Sequence, residues 1–284
     1  MSEIVNAMRR PLISLPALCM AAGLATAGLQ PDSTTAHDRP VISVIKGDGS
    51  AVLQMTGYVF SAPFRWNGGE WLLAGGLGAG SAGTMLLDDD VRSIMERNRT
   101  GFNDHLSDVA VQYGSGLTML LLSAGGYAAG LAFDDDWIRE TSLLSGTAIL
   151  LSGTISTVSK IVSGRARPYV GEGRSRFRPF SFRDAHQSFP SGHTIVAFAV
   201  SGVLAERIKN PWATVGLYGF AAATGWSRMY TDHHWFSDVF FGAVISIAVS
   251  RTIVQWYEGG RAGTEQRGVR VIPAGNGVAL VWRF

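Results

Sequence analysis

Charge is what this sequence has least of. Asp, Glu, Lys and Arg make up only 16% of its 284 residues, against about 25% in an ordinary soluble domain. The charges that are present nearly cancel, at a formal +2. No broad positive field is there to hold nucleic acid, which is excluded as an expected partner. Cysteine is scarcer still. Cys19 is the only one, so no intrachain disulfide can form. The residues ahead of it, Pro16-Ala17-Leu18, lack the small side chains a lipid-attachment site wants.

What the sequence does have is apolar residues, at 46%, and 35 glycines, many inside apolar stretches. Mean hydropathy is +0.16. Glycine-rich apolar segments suit closely packed membrane helices. Residues 1–27 read as a secretory signal: Arg9-Arg10, an apolar run from Leu12 to Leu24, then Ala25-Thr26-Ala27 as an A-x-A cleavage site. An uncleaved anchor is the alternative. The extension over 28–70 starts with a linker at 31–40. It continues with a β-like run Val41–Ile45, a Gly47-Asp48-Gly49 turn and an apolar stretch, Ala51–Phe64, suited to an amphipathic helix.

Six apolar segments follow, near 71–87, 109–133, 141–162, 193–208, 211–229 and 235–256. Most approach the ~20 residues that cross a bilayer. Small residues recur at four-residue spacing in Gly76/Gly80, Gly126/Gly130 and Gly242/Ser246/Ser250, which lets helix backbones come close. The expected fold is all-α, a membrane-embedded bundle of about six apolar helices over 71–256. The tail, 257–284, alternates as a strand and carries an Asn276-Gly277 hairpin signal. A small β-hairpin packed on the helical body is expected there. Asp88–Asp90 and Asp134–Asp136 end two glycine-rich segments and read as solvated helix ends, because consecutive carboxylates do not face one metal.

Three polar clusters interrupt the apolar sequence. Lys160 and Arg167-Pro168 close the third segment, offering a point charge and a planar fork to an anion. Pro190-Ser191-Gly192-His193 opens the fourth helix, whose free N–H groups favour an anion, with Ser191 as cap and hydroxyl donor. Ser227-Arg228 ends the fifth segment. His234 and Asp238 share one face of the next helix, where a carboxylate can hold one imidazole nitrogen and aim the other outward. His233 points elsewhere and reads as structural. If the helices alternate in direction, all three clusters meet at one end of the bundle.

The pattern Lys160-x6-Arg167-Pro168, Pro190-Ser191-Gly192-His193 and Ser227-Arg228-x5-His234-x3-Asp238 resembles the signature of the type 2 phosphatidic acid phosphatase family. Its superfamily (PAP2) also holds bacterial acid phosphatases and vanadium haloperoxidases. The resemblance implies that His234 attacks phosphorus and becomes a phosphohistidine, with Asp238 orienting it. It implies that His193 protonates the leaving oxygen and then activates water. Lys160, Arg167, Ser191, Gly192 and Arg228 would bind the phosphoryl oxygens. No metal or other cofactor is implied, and vanadate enters only if the chain is a haloperoxidase.

The apolar bundle favours a lipid phosphate or prenyl diphosphate as substrate and the membrane as a partner. A soluble periplasmic acid phosphatase, a vanadate-dependent haloperoxidase and a non-catalytic scaffold are the alternatives. Arg165, Arg174, Arg176, Arg178 and Arg183 crowd the loop between the first two clusters, either to draw in an anionic headgroup or as a solvated basic surface. The expected location is the bacterial inner membrane with the site facing the periplasm, or the periplasm itself. Six full crossings after an exported N-terminus would put the site in the cytoplasm; five would restore it to the outside.

Overall fold

The computed structural model describes the backbone of residues 40–266, 268–274 and 277–283, with side chains over 40–260. The expected signal and nearly all of the linker lie outside these residues. Nine α-helices follow one another among the described residues. They are α1 (Val41–Ser61), α2 (Gly68–Thr84), α3 (Asp88–Arg97), α4 (Gly101–Gln112) and α5 (Gly116–Ala132), then α6 (Asp136–Ser163), α7 (Gly192–Ile208), α8 (Pro211–Tyr230) and α9 (Phe236–Gln266).

Helix α1 corrects the reading of the extension. Val41–Ile45 and Gly47-Asp48-Gly49 are helix interior, neither strand nor turn. The reason is tertiary. Asp48 is buried and accepts hydrogen bonds from Arg139 Nη1 at 2.5 Å and the Tyr127 hydroxyl at 2.8 Å. Those bonds override the roughly 1 kcal/mol that each glycine costs inside a helix.

Side chains set the other helix starts. Asn67 and Glu70 form a reciprocal capping box on α2. Asp135 accepts the Ile138 N–H at 2.9 Å to begin α6, and Asn210 accepts from Trp212 and Ala213 ahead of Pro211 in α8.

Helix α7 is central, packing on α6, α8 and α9. The core runs through Leu144, Ala148, Ile149 and Leu151 of α6, Val196, Ala199, Val200 and Val203 of α7, and Val249, Ile253 and Val254 of α9. Met55 of α1 and Met119 of α5 complete it. The small-residue spacing does its expected work in α5, where a Cβ on Gly126 or Gly130 would run into Ser142 or the Arg139 backbone. Gly76 and Gly80 have open space beside them and carry no helix contact.

Among the described residues, not all six apolar segments form helices long and apolar enough to cross a membrane. Helix α6 and residues Phe236–Gly260 of α9 are long and apolar enough to cross a membrane. The segment expected as one helix over 109–133 is broken, and α4 and α5 bend by 46° there, a third crossing if counted as one.

The end of the bundle where α6 begins is tied by ion pairs. Arg139 joins Asp48 and, at 2.6 Å, Asp136; Arg207 of α7 joins Glu140 at 3.1 Å and Glu258 of α9 at 3.3 Å. Past α9, strands β1 (Gly268–Ala274) and β2 (Gly277–Arg283) pair antiparallel. They pair with each other and not extensively with any helix. The expected hairpin packed on the helical body is therefore not supported, and Asn276 lies outside the described residues.

Candidate active site

At the other end of the bundle, α6 stops because Gly164 takes φ +55° and closes it with an N–H bond to Lys160 O at 2.9 Å. A Cβ at that glycine would collide with the Arg178 carbonyl. The chain turns through Arg165-Ala166-Arg167 and returns to start α7 after a cis Phe189–Pro190 bond. Helix α8 ends beside it and α9 begins. The three clusters meet there as the alternation of helix directions predicts, and hydrogen bonds to backbone carbonyls tie them together. Ser191 N–H donates to Asp238 O at 3.1 Å, Trp235 Nε1 to Ala166 O at 2.9 Å, and Lys160 Nζ to Gln187 O at 2.6 Å.

His234 is buried, and its orientation differs from expectation. Its Nδ1 lies 2.7 Å from the Ser188 carbonyl oxygen and 3.7 Å from Asp238 Oδ2. A carbonyl can only accept, so Nδ1 carries the proton and Nε2 keeps its lone pair. Asp238 is instead occupied by other donors: the Ser188 hydroxyl, the Trp235 N–H at 2.9 Å and Arg165 Nη1. Ser188 holds both partners, the ring by its carbonyl and the carboxylate by its hydroxyl. Burial, with Lys160 and Arg167 adding repulsion, pushes the His234 pKa down to about 3 against the opposing pull of Asp238.

The anion ligands face His193. Its ring makes no hydrogen bond among the described residues. Burial and then Arg228, Lys160, His233 and Arg167 depress its pKa to about 4, which places all four groups within electrostatic reach of the ring. Arg228 has no side-chain partner among the described residues, and its Nε is fully buried without a hydrogen bond. Burying that nitrogen of a guanidinium without an acceptor is costly unless a ligand supplies one. Arg167 is partly engaged: Nη2 meets Asp184 Oδ1 at 2.7 Å and Nε donates to Asp184 O at 2.9 Å.

Ser191 occupies the N-cap position of α7, yet its hydroxyl caps nothing. Its Oγ accepts from Thr194 Oγ1 at 2.9 Å, so its own proton is uncommitted. Gly192 brings the start of α7 beside Lys160, whose Cε would lie 3.9 Å from a Cβ there.

Asp88, expected at a solvated helix end, and Arg165, expected either to draw in a headgroup or to be solvated, are buried at the heart of this end. Arg165 is 0% exposed and Asp88 1%. Arg165 Nη2 meets Asp88 Oδ2 at 2.7 Å while Nη1 meets Asp238 Oδ1, and both Nε and Nη2 donate to Arg174 O. Ser237 bonds the same carboxylate through its N–H and its hydroxyl, each at 2.8 Å. Burial raises the Asp88 carboxyl above its ordinary range, against the opposing pull of the Ser237 N–H and the Arg165 guanidinium. Asp88 stands apart from the rest of its acidic triplet because the α2–α3 junction turns it inward against α9. A lone buried arginine in a basic loop leaves no mark in the sequence.

The rest of the basic loop is largely neutralised. Arg174 pairs with Asp89 at 3.0 Å, and Arg176 and Arg178 pair with Glu172 at 3.6 and 2.9 Å. No cluster of three or more His, Cys, Asp or Glu side chains suited to a metal occurs among the described residues.

Residues 141–261 match the PAP2 superfamily. That stretch of the chain is similar to a PAP2 domain. Among curated relatives, the lipid A 1-phosphatase of Porphyromonas gingivalis is 29% identical over 173 residues, 60% of this chain and 35% of that protein. The undecaprenyl-diphosphatase BcrC of Bacillus subtilis is 30% identical over 118 residues, 41% of this chain and 58% of that protein. The chain thus spans roughly a third to three-fifths of these relatives. LpxE of Aquifex aeolicus, a solved structure, overlays with a TM-score of 0.48 at 22% identity over 60% of this chain and 95% of that one. The PAP2 match begins well after Asp88, which the flanking helices supply.

Proposed function

We propose that this chain is a phosphatase acting on a lipid-linked phosphomonoester or diphosphate through a phosphohistidine on His234. The observation that carries the reading is Arg228, a half-buried cation whose Nε is buried and which meets no anion among the described residues. It lies beside a His193 ring without a partner and a His234 ring anchored by Nδ1. Such a site is built for a tetrahedral anion. The names of the two curated relatives favour lipid phosphates over halide oxidation, and the apolar lengths of α6 and α9 favour a membrane enzyme over a soluble periplasmic one.

The chemistry follows from the geometry. Nε2 of His234 attacks phosphorus, the bond to the leaving oxygen breaks, and His193 gives that oxygen its proton. Water then attacks the phosphohistidine, losing a proton to His193, and the P–N bond breaks to release inorganic phosphate. Lys160, Arg167, Arg228, the Ser191 hydroxyl and the N–H groups at the start of α7 stabilise the charge on the equatorial oxygens. Fixed cations do here what a divalent metal does elsewhere. With an exported N-terminus and the α4–α5 pair as one crossing, α6 ends outside the cytoplasm, so the site faces the periplasm.

The test is phosphate release by the purified protein from phosphatidate, phosphatidylglycerophosphate, undecaprenyl diphosphate, lipid A and an aryl phosphate. His234→Ala should abolish it and chelators should leave it intact. Full activity in that variant would sink the mechanism, and activity on the aryl phosphate alone would sink the lipid assignment.

A further inference from the structure

We infer that Asp88 and Arg165 are positioning residues for the His234–Asp238 unit, and that Asp88 keeps Asp238 an effective anion. The inference rests on the phosphohistidine reading above.

Three groups form a closed row: Asp88, Arg165 and Asp238, each wholly or almost wholly buried. Arg165 gives one terminal nitrogen to each carboxylate. If Arg165 met Asp238 alone, the pair would be neutral, and Asp238 would have little charge left for a neighbour. The second carboxylate changes the sum. Two anions and one guanidinium leave one net negative charge, and it lies against His234. When Nε2 bonds to phosphorus, the ring retains its Nδ1 proton and becomes cationic. A net anion behind it stabilises that state, and little water is present to weaken the attraction.

Three donors favour the ionised form of Asp88 against its burial: Arg165 Nη2, the Ser237 N–H and the Ser237 hydroxyl all point at it. Ser237 itself receives Arg165 Nη1 at 2.7 Å, so it links both ends of the guanidinium to α9. The row also fixes position. Asp238 accepts the Trp235 N–H and, through its backbone, the Ser191 N–H, so a shift of its carboxylate moves the turn that carries His234 and the start of α7 together. Asp88 belongs to the α2–α3 junction, outside the PAP2 match. The helices ahead of that domain therefore complete its charge balance.

The test uses the full chain in detergent, with active sites counted by vanadate titration so that unfolded protein is not scored. Asp88→Asn should lower kcat per titrated site by about tenfold to a hundredfold, as loss of outer-layer partners commonly does, with KM changed less than twofold. Asp88→Glu should recover part of the loss. Ser237→Ala removes a neutral link and keeps every charge, so it guards against a variant that fails to fold. It should lower kcat by about fivefold, the value of one hydrogen bond. In the ¹⁵N spectrum, both variants should broaden or shift His234 Nδ1–H. Unchanged kcat per site in folded Asp88→Asn and Ser237→Ala, or a rise in KM alone, would overturn the inference and leave the phosphatase reading standing. An active His234→Ala would overturn both.

Discussion

Binding of a tetrahedral dianion should draw a proton onto His193. In the empty site this ring is held near pKa 4 by burial and by Arg228, Lys160, His233 and Arg167. One negative charge placed about 4 Å away at an effective dielectric of about 20 favours the imidazolium by about 4 kcal/mol. That is about 3 pKa units, enough to bring the ring to about 7. At pH 6 the free ring is then protonated in about one molecule in a hundred and the bound ring in about nine in ten. Sulfate is the probe of choice, because it is fully ionised at this pH and neither gains nor loses a proton itself. Titration calorimetry in buffers of different ionisation enthalpy counts the protons taken up. The expected slope is close to one proton per sulfate in the wild type and near zero in His193→Asn. A flat response in the wild type, or a slope that survives the substitution, would refute the argument. The acid of the reaction would then have to come from elsewhere. If the argument holds, the substrate itself arms the residue that protonates its leaving group.

Arg228→Ala should cost about a hundredfold to a thousandfold in kcat/KM, as loss of one preorganised donor does. Its melting temperature without ligand should stay level or rise, because a half-buried cation whose Nε lacks a hydrogen bond has been removed. Gly114→Ala should destabilise the fold by about 1–3 kcal/mol, since its Cβ would come within 2.5 Å of Thr224 Cγ2 and 2.6 Å of the His193 carbonyl. Gly116→Ala, whose Cβ would meet Val196 Cγ2 at an ordinary contact distance of 3.8 Å, should be close to neutral in the same melt. Stability should also fall with pH in a defined window. His234 and His193 have folded pKa values of about 3 and about 4, below the ordinary 6.5, so the unfolded chain binds their protons first. Each ring then removes on the order of 1.4 kcal/mol per pH unit as the pH drops below 6.5 towards its folded pKa. Denaturant melts of the wild type and His193→Asn across that window should show a shallower decline in the variant.

The parts of the site legible in the sequence were those carried by residue type at fixed spacing. Lys160, Arg167, His193, Arg228 and His234 could be placed together from helix order alone, because successive helices that alternate in direction return to the same end. The parts that stayed hidden depend on backbone groups or on burial. Ser188 anchors His234 through a carbonyl, which every residue has. Asp88 and Arg165 look like any solvated acidic cluster and basic loop until the chain is folded, and only then do they face each other across 77 positions. The glycines around Asp48 suggested a turn for the same reason, since the arginine that holds the residue in a helix comes 91 positions later.

Helix α6 links the two charged ends of the molecule. From Arg139 to Lys160 it rises 1.5 Å per residue, or about 32 Å, close to the ~30 Å hydrocarbon depth of a bilayer. The ion-paired layer at one end and the anion cradle at the other are therefore spaced to sit in opposite headgroup regions. A thicker bilayer would pull against one of those layers, and tilting α6 to relieve a thinner one would carry Lys160 with it. With α6 as the crossing proposed above, the thickness of the surrounding lipid should bear on the shape of the proposed catalytic end.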